Sequence, residues 1–129
     1  MPNINIKSID HIVMTCGSIE KTIAFYTSAL GMKVHRFGQG RYALRFGEQK
    51  INLHQAGKEF EPKARVPTPG SVNICFITET PIDEVKNQLE SNGINILVGP
   101  IEKSGALGKI NSIYFQDPDK NLIEVSNYQ

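Results

Sequence analysis

Apolar residues recur along this chain with two different spacings, and the alternation between them divides it into halves. From Ile9 to Thr15 the spacing is two: His11, Val13 and Thr15 share one face and Ile12 and Met14 the other, which predicts a strand. Ser18 is then placed as a helix N-cap, and Ile19, Ile23, Tyr26 and Leu30 recur at helical spacing up to Gly31, a left-handed stop. Three short runs follow, Val34 to Phe37, Tyr42 to Phe46 and Lys50 to Gln55, separated by glycine-containing turns. They predict an antiparallel meander. On the third run Asn52 and His54 share a face, while Ile51 and Leu53 point toward the helix.

The succession then returns. Val72, Ile74 and Phe76 form a packing face, with Asn73 and Cys75 opposite. Thr80-Pro81 predicts a helix start capped by Thr80, followed by Ile82, Val85 and Leu89 as a buried stripe and Gly93 as the stop. Ile94 to Val98, Asn111 to Phe115 and Asn121 to Ser126 complete a second meander, with Asp117-Pro118-Asp119-Lys120 as the turn before the last strand. Asp10–Thr15 matches Val72–Thr78 at an offset of about sixty-two, as Gly31 matches Gly93, and Lys50–His54 matches Lys120–Glu124 at seventy. The growth in offset is assigned to an extra loop, Ser104 to Lys109, whose glycines and terminal charge make it a candidate to close over a ligand.

These repeats predict one α+β domain over 1–129, made of two βαβββ modules, about 7–57 and 71–128, joined by an ordered proline-rich connector, 58–70. Side by side, the modules form a curved mixed sheet, a cup with polar residues inside and helices outside. A net charge of +1 offers no nucleic-acid footprint. No run is long and apolar enough for a membrane span, and the first residues lack the blocks of a signal peptide. A cytoplasmic location is expected, with Cys16 and Cys75 as buried, reduced thiols.

The aligned positions His11, His54, Asn73 and Glu124 fall on the inner face of this cup. A carboxylate between apolar residues is costly to bury unless paired or bound to a cation. Glu124 is therefore read either as the partner of Arg45 or Lys50, or, with His11 and His54, as a ligand set for Zn, Ni, Mn or Fe(II). Asn73 supplies a weak oxygen ligand or a contact to substrate. Arg45, Tyr114 and Lys109 are candidates to line the cup and hold an anionic substrate, and Arg41 belongs to the same group.

The motifs Asp10-His11-Ile12-Val13, Phe25-Tyr26 with Leu30-Gly31-Met32, and Asp117-Pro118-Asp119 with Asn121-Leu122-Ile123-Glu124 resemble the vicinal oxygen chelate superfamily, which includes glyoxalase I, extradiol dioxygenases and fosfomycin-resistance proteins. Gln49–His54, Glu59–Ala64 and Pro69-Gly70-Ser71 resemble a narrower group of glyoxalase-domain proteins with bacterial relatives, some labelled virulence proteins. The likeness covers about 7–128. It implies paired βαβββ modules, a divalent metal in the cup and a homodimer. It also implies a lyase or isomerase of glyoxalase I type acting on a small molecule with neighbouring oxygens, with Glu124 as catalytic base. The alternatives are an Fe(II) extradiol-type dioxygenase and a non-enzymatic small-molecule binding protein. The chain departs from the superfamily in carrying Asn73 where the fifth strand usually has His.

Overall fold

The computed structural model describes residues 3–129 and contains both modules. The first runs β1 (His11–Cys16), α1 (Ile19–Leu30), β2 (Lys33–Phe37), β3 (Arg41–Phe46) and β4 (Gln49–Gln55). The second runs β5 (Asn73–Ile77), α2 (Ile82–Ser91), β6 (Val98–Gly105), β7 (Gly108–Gln116) and β8 (Leu122–Tyr128). Each module forms a four-stranded mixed sheet, in the orders β1-β4-β3-β2 and β5-β8-β7-β6. In both, the first strand is parallel to the last and the other pairs are antiparallel.

The two-residue period decides which face of each sheet is buried. Met14, Cys16, Ile51 and Leu53 from the first sheet join Ile113, Phe115, Ile123 and Val125 from the second in a single apolar core with Tyr26 and Leu89 of the helices. The modules thus share one interior, which suits halves too small to be stable singly. Their opposite, polar faces point away from that core. Apolar residues remain exposed on them, Val13 on one and Ile77, Val98 and Ile101 on the other.

The ties between modules are polar as well as apolar. Asp117, in the β7–β8 turn, is buried and accepts hydrogen bonds from the Tyr26 hydroxyl at 2.7 Å, the Asn121 amide side chain at 2.8 Å and the backbone N–H groups of Asp119 and Asn121. Asp119 accepts from the Gly17 backbone N–H just ahead of α1. The connector ends against the same turn: a Cβ on Gly70, at φ 82°, would meet the Asp119 carbonyl oxygen at 2.7 Å.

Ser18 caps α1, accepting from the Lys21 N–H, and Gly31 ends it at φ 65°. Four expectations need correction. Thr80 does not cap α2; the Ile82 N–H instead donates to the Asn127 side chain on β8, a long-range partner invisible to local pattern. Residues 94–97 are not a strand, and β6 begins at Val98. The loop expected over 104–109 is a tight hairpin whose arms pair Gly105 with Gly108, so the second module has longer strands rather than a free cover. Cys16 is buried, its thiol pushed up to about 11 mainly by burial, but Cys75 is exposed on the polar face of β5. Among the described residues, no helix is long and apolar enough to cross a membrane.

Candidate functional site

Strand register, rather than the succession of residue types, fixes which positions in the two modules are equivalent. His11 faces Lys50 across the parallel β1–β4 pair, and Val13 faces Asn52. In the second module Asn73 faces Leu122, and Cys75 faces Glu124. His11 therefore corresponds to Asn73 as expected. The counterpart of Glu124 is Asn52, however, and that of His54 is Ser126, so the last strands align seventy-two residues apart, not seventy. The helix starts confirm this alignment. Gln55, at the end of β4, accepts from the Ile19 N–H and donates to the Gly17 carbonyl. Asn127, seventy-two residues on, accepts from the Ile82 N–H and donates to the Thr78 and Thr80 carbonyls.

His54 consequently stands away from His11. It lies beside Thr15, four residues along β1 from His11, a rise of about 13 Å. Both imidazoles stand off the same sheet, so they do not converge. Glu124 belongs to the other sheet, and among the described residues no group of three His, Cys, Asp or Glu side chains is placed to hold a metal ion. The expected set of His11, His54 and Glu124 is thus not assembled within one chain.

Two members of that set nonetheless have the setting of ligands. The His11 Nδ1 lies 2.7 Å from the Asp10 carboxylate, which keeps the proton on Nδ1 and leaves Nε2 free; the side chain is 41% exposed. A carboxylate orienting an imidazole in this way is the usual support of a metal-bound histidine. Glu124, on β8, accepts from the Ser126 hydroxyl at 3.5 Å and stands opposite Tyr114 in the β7–β8 register. Burial, and then the neighbouring Glu124, push the Tyr114 phenol up to about 12. Asn52 adds an anomaly: its Oδ1 is buried and has no hydrogen-bond partner among the described residues. An acceptor left in this state is available to a donor or cation that completes the site.

The other expected residues divide. Asn73 is exposed at the start of β5, on the face of Glu124, and Tyr114 pairs with Glu124 across β7–β8. Arg45 lies in a cross-strand row Lys33–Arg45–Lys50–His11, with its guanidinium near the His35 ring. Lys50 extends over the Phe37 ring at 4.0 Å, on the same face. With Arg41 these side chains make the face of the first module basic, and no strand residue on it is a carboxylate. Lys109 points from the other side of β7 and pairs with Glu102 at 3.7 Å, so the structure does not bring it to the site. Asn52 was missed because its amide is not an obvious ligand type. The signal that finds it is the carboxamide pair Gln55 and Asn127, which sets the register.

The pattern of the family described as the Glyoxalase/Bleomycin resistance protein/Dioxygenase superfamily matches residues 8–125. The chain is 56% identical to glyoxalase domain-containing protein RDO1 of Mycosarcoma maydis over 98% of its length and 71% of that protein's. It is 55% identical to virulence protein STM3117 of Salmonella typhimurium over 95% of its length and 85% of that protein's. The crystal structure of STM3117 superposes with a TM-score of 0.96 over 98% of this chain and 100% of that one, at 54% identity.

Proposed function

The chain belongs to the glyoxalase/bleomycin resistance protein/dioxygenase superfamily, and on that premise we propose that it is a divalent-metal-dependent, glyoxalase-like lyase or isomerase acting on a small molecule with vicinal oxygens. The active unit in this reading is a homodimer. The polar face of the first module in one copy, bearing His11 and Asn52, closes on the face of the second module in the other, bearing Asn73 and Glu124. The outward direction of both faces and the apolar residues left exposed on them support this arrangement. The observation that carries the metal is the Asp10–His11 contact, which prepares Nε2 as a donor.

His11 and Glu124 are the residues to hold the cation, which is Zn, Ni, Mn or Fe(II) by donor type. Bound there, it supplies Lewis-acid polarisation of two neighbouring substrate oxygens. Glu124 takes a proton from the substrate carbon beside them and returns it, with the Ser126 hydroxyl donating to that carboxylate and Tyr114 beside it across β7–β8. Asn52 Oδ1 and the Asn73 side chain orient the substrate's polar groups, and Arg45 offers a charge for an anionic tail.

The test is elemental analysis of protein purified without chelator, then reconstitution with each of the four ions, and a turnover assay on a hemithioacetal of glutathione. Near-stoichiometric metal, lost in His11→Ala, with turnover lost in Glu124→Gln, is expected. Metal retained in both variants rejects the ligand assignment. Oxygen consumption dependent on Fe(II) would move the reading to a dioxygenase. The amides Asn52 and Asn73, at two of the four equivalent positions, favour a second reading as a small-molecule binding protein. Ligand-induced stabilisation without turnover or metal would select it.

A further inference from the structure

A cavity of about 400 Å³ lies on the helix side of the two sheets, between the end of α1, the edge of β5 and α2. This volume suits a small organic ligand. Met32, Phe46, Phe76, Val85, Leu89 and Val125 make most of its wall, and Phe46 packs edge-on to Phe76 with ring centroids 5.1 Å apart. These side chains belong to the interior shared by the modules, not to the polar faces that bear His11 and Glu124. Among the described residues no charged side chain lines the cavity.

The internal repeat explains why a gap exists here. Ile19 and Ile82 begin the two helices on equivalent side-chain partners, Gln55 and Asn127, so Leu89 in α2 holds the position of Tyr26 in α1. Phe46 follows Arg45, the partner of Lys50, as Asp117 follows Gln116, the partner of Leu122. At one end of the pair, therefore, a phenol and a carboxylate join across the modules; at the other stand a leucine and a phenylalanine, which cannot make that bond. The end of α1 adds a polar element. The last carbonyls of a helix have no partner within it, and here the Gly31 and Met32 N–H groups both donate to the Tyr26 carbonyl. The Ser28 hydroxyl donates backward to the Ala24 carbonyl, Gln88 on the rim donates its amide to Glu84, and the last turn of α1 has no basic side chain. The cavity thus joins an apolar wall to the negative end of a helix dipole that has no cation of its own.

We propose that this cavity is a ligand site for a small arylalkyl ammonium, whose ring packs against Phe46, Phe76 and Leu89 and whose ammonium group donates to the carbonyls that end α1. A Lys or Arg side chain commonly serves a helix end in this way, and the ligand supplies what this helix lacks. A hydroxyl head donates one bond without the charge, and a carboxylate head is repelled. The site lies within one chain, goes beyond the lyase reading, and does not depend on metal or on a second copy.

The experiment is calorimetric titration of the full chain near pH 7 with 2-phenylethylamine, 2-phenylethanol and phenylacetate. Methionine methyl resonances are followed by NMR in parallel. Saturable binding is expected for the amine, roughly tenfold weaker for the alcohol and weaker again for phenylacetate. Ser28→Lys, at an exposed position, supplies the missing cation; it should weaken the amine roughly tenfold and leave the alcohol nearly unchanged. The Met32 methyl signal of the wild-type protein should shift on binding, a readout that needs no variant. Equal binding of the three probes, insensitivity to Ser28→Lys, a silent Met32 or no saturable binding would each overturn the proposal. Amine binding that falls as protein concentration rises would overturn it by giving the cavity to a second copy. Metal-free protein should bind as well as metal-loaded protein, so failure here is distinguishable from failure of the lyase reading.

Discussion

The two sheet faces have the same topology and opposite chemistry. The face of the first module is basic, with Lys33, Arg41, Arg45 and Lys50 beside three histidines, whereas that of the second is nearly neutral and carries one carboxylate, Glu124. At equivalent positions His11 stands against Asn73, and Asn52 against Glu124. Each half thus keeps one strong donor and one amide, at exchanged places. In the proposed reading the two halves divide the labour, and a complete site would take one face of each kind.

The largest effect expected is on chemistry. Glu124→Gln should lower turnover on the order of a thousandfold while the fold is kept, measured by steady-state kinetics with circular dichroism as control. His11→Ala should be equally inactive through loss of metal. Mixing the two inactive variants then tests the comparison directly. If the faces meet across copies, subunit exchange places both lesions in one site of each hybrid, leaving the other intact. Activity should recover to roughly a quarter of wild type. No recovery after demonstrated exchange would place both faces in the same copy.

Next in size is the tie between modules. Asp117→Ala leaves the Tyr26 hydroxyl and the Asn121 amide without their acceptor in a buried setting, and should cost about 3 kcal/mol or more by urea denaturation. Both modules should unfold in one transition, because they share the core. A smaller loss, about 1 kcal/mol, is expected for Asn127→Ala, which uncaps α2.

The smallest effect is pH dependence. His54 titrates near 6.5 when unfolded and lower when folded, so below that value the unfolded chain binds a proton the folded one refuses. Its contribution to stability is present above pH 6.5 and is lost as pH falls through the folded value. His54→Gln should flatten that slope in denaturation curves taken across the acidic range, and an unchanged slope would assign it to other groups.

The repeat was legible because burial imposes two periods that composition cannot hide: two in the strands, as in Ile51 and Leu53, and helical in Ile82, Val85 and Leu89. The register was not. A slip of two residues returns every side chain to the same face, so His54 and Asn52 are equally compatible with the pattern, and only backbone pairing separates them. Residue type then misled, since an imidazole looks more like a ligand than an amide does. Thr80 failed as a cap for a related reason. Local spacing cannot see Asn127, which arrives from β8. The alternation did place His11 and Glu124 on the polar faces of their sheets, where the structure has them, His11 beside Asp10.

The turn around Asp117 has a consequence for what can be taken apart. It belongs to the second module by sequence, yet Asp117 secures α1 of the first, Asp119 secures the residue ahead of that helix, and Gly70 lets the connector close on it. A single chain cut within 58–70 should stay together as two noncovalently joined fragments, while either fragment made alone would lack part of its interior. The ancestral unit can still be read in the topology, but it is no longer an independent folding unit.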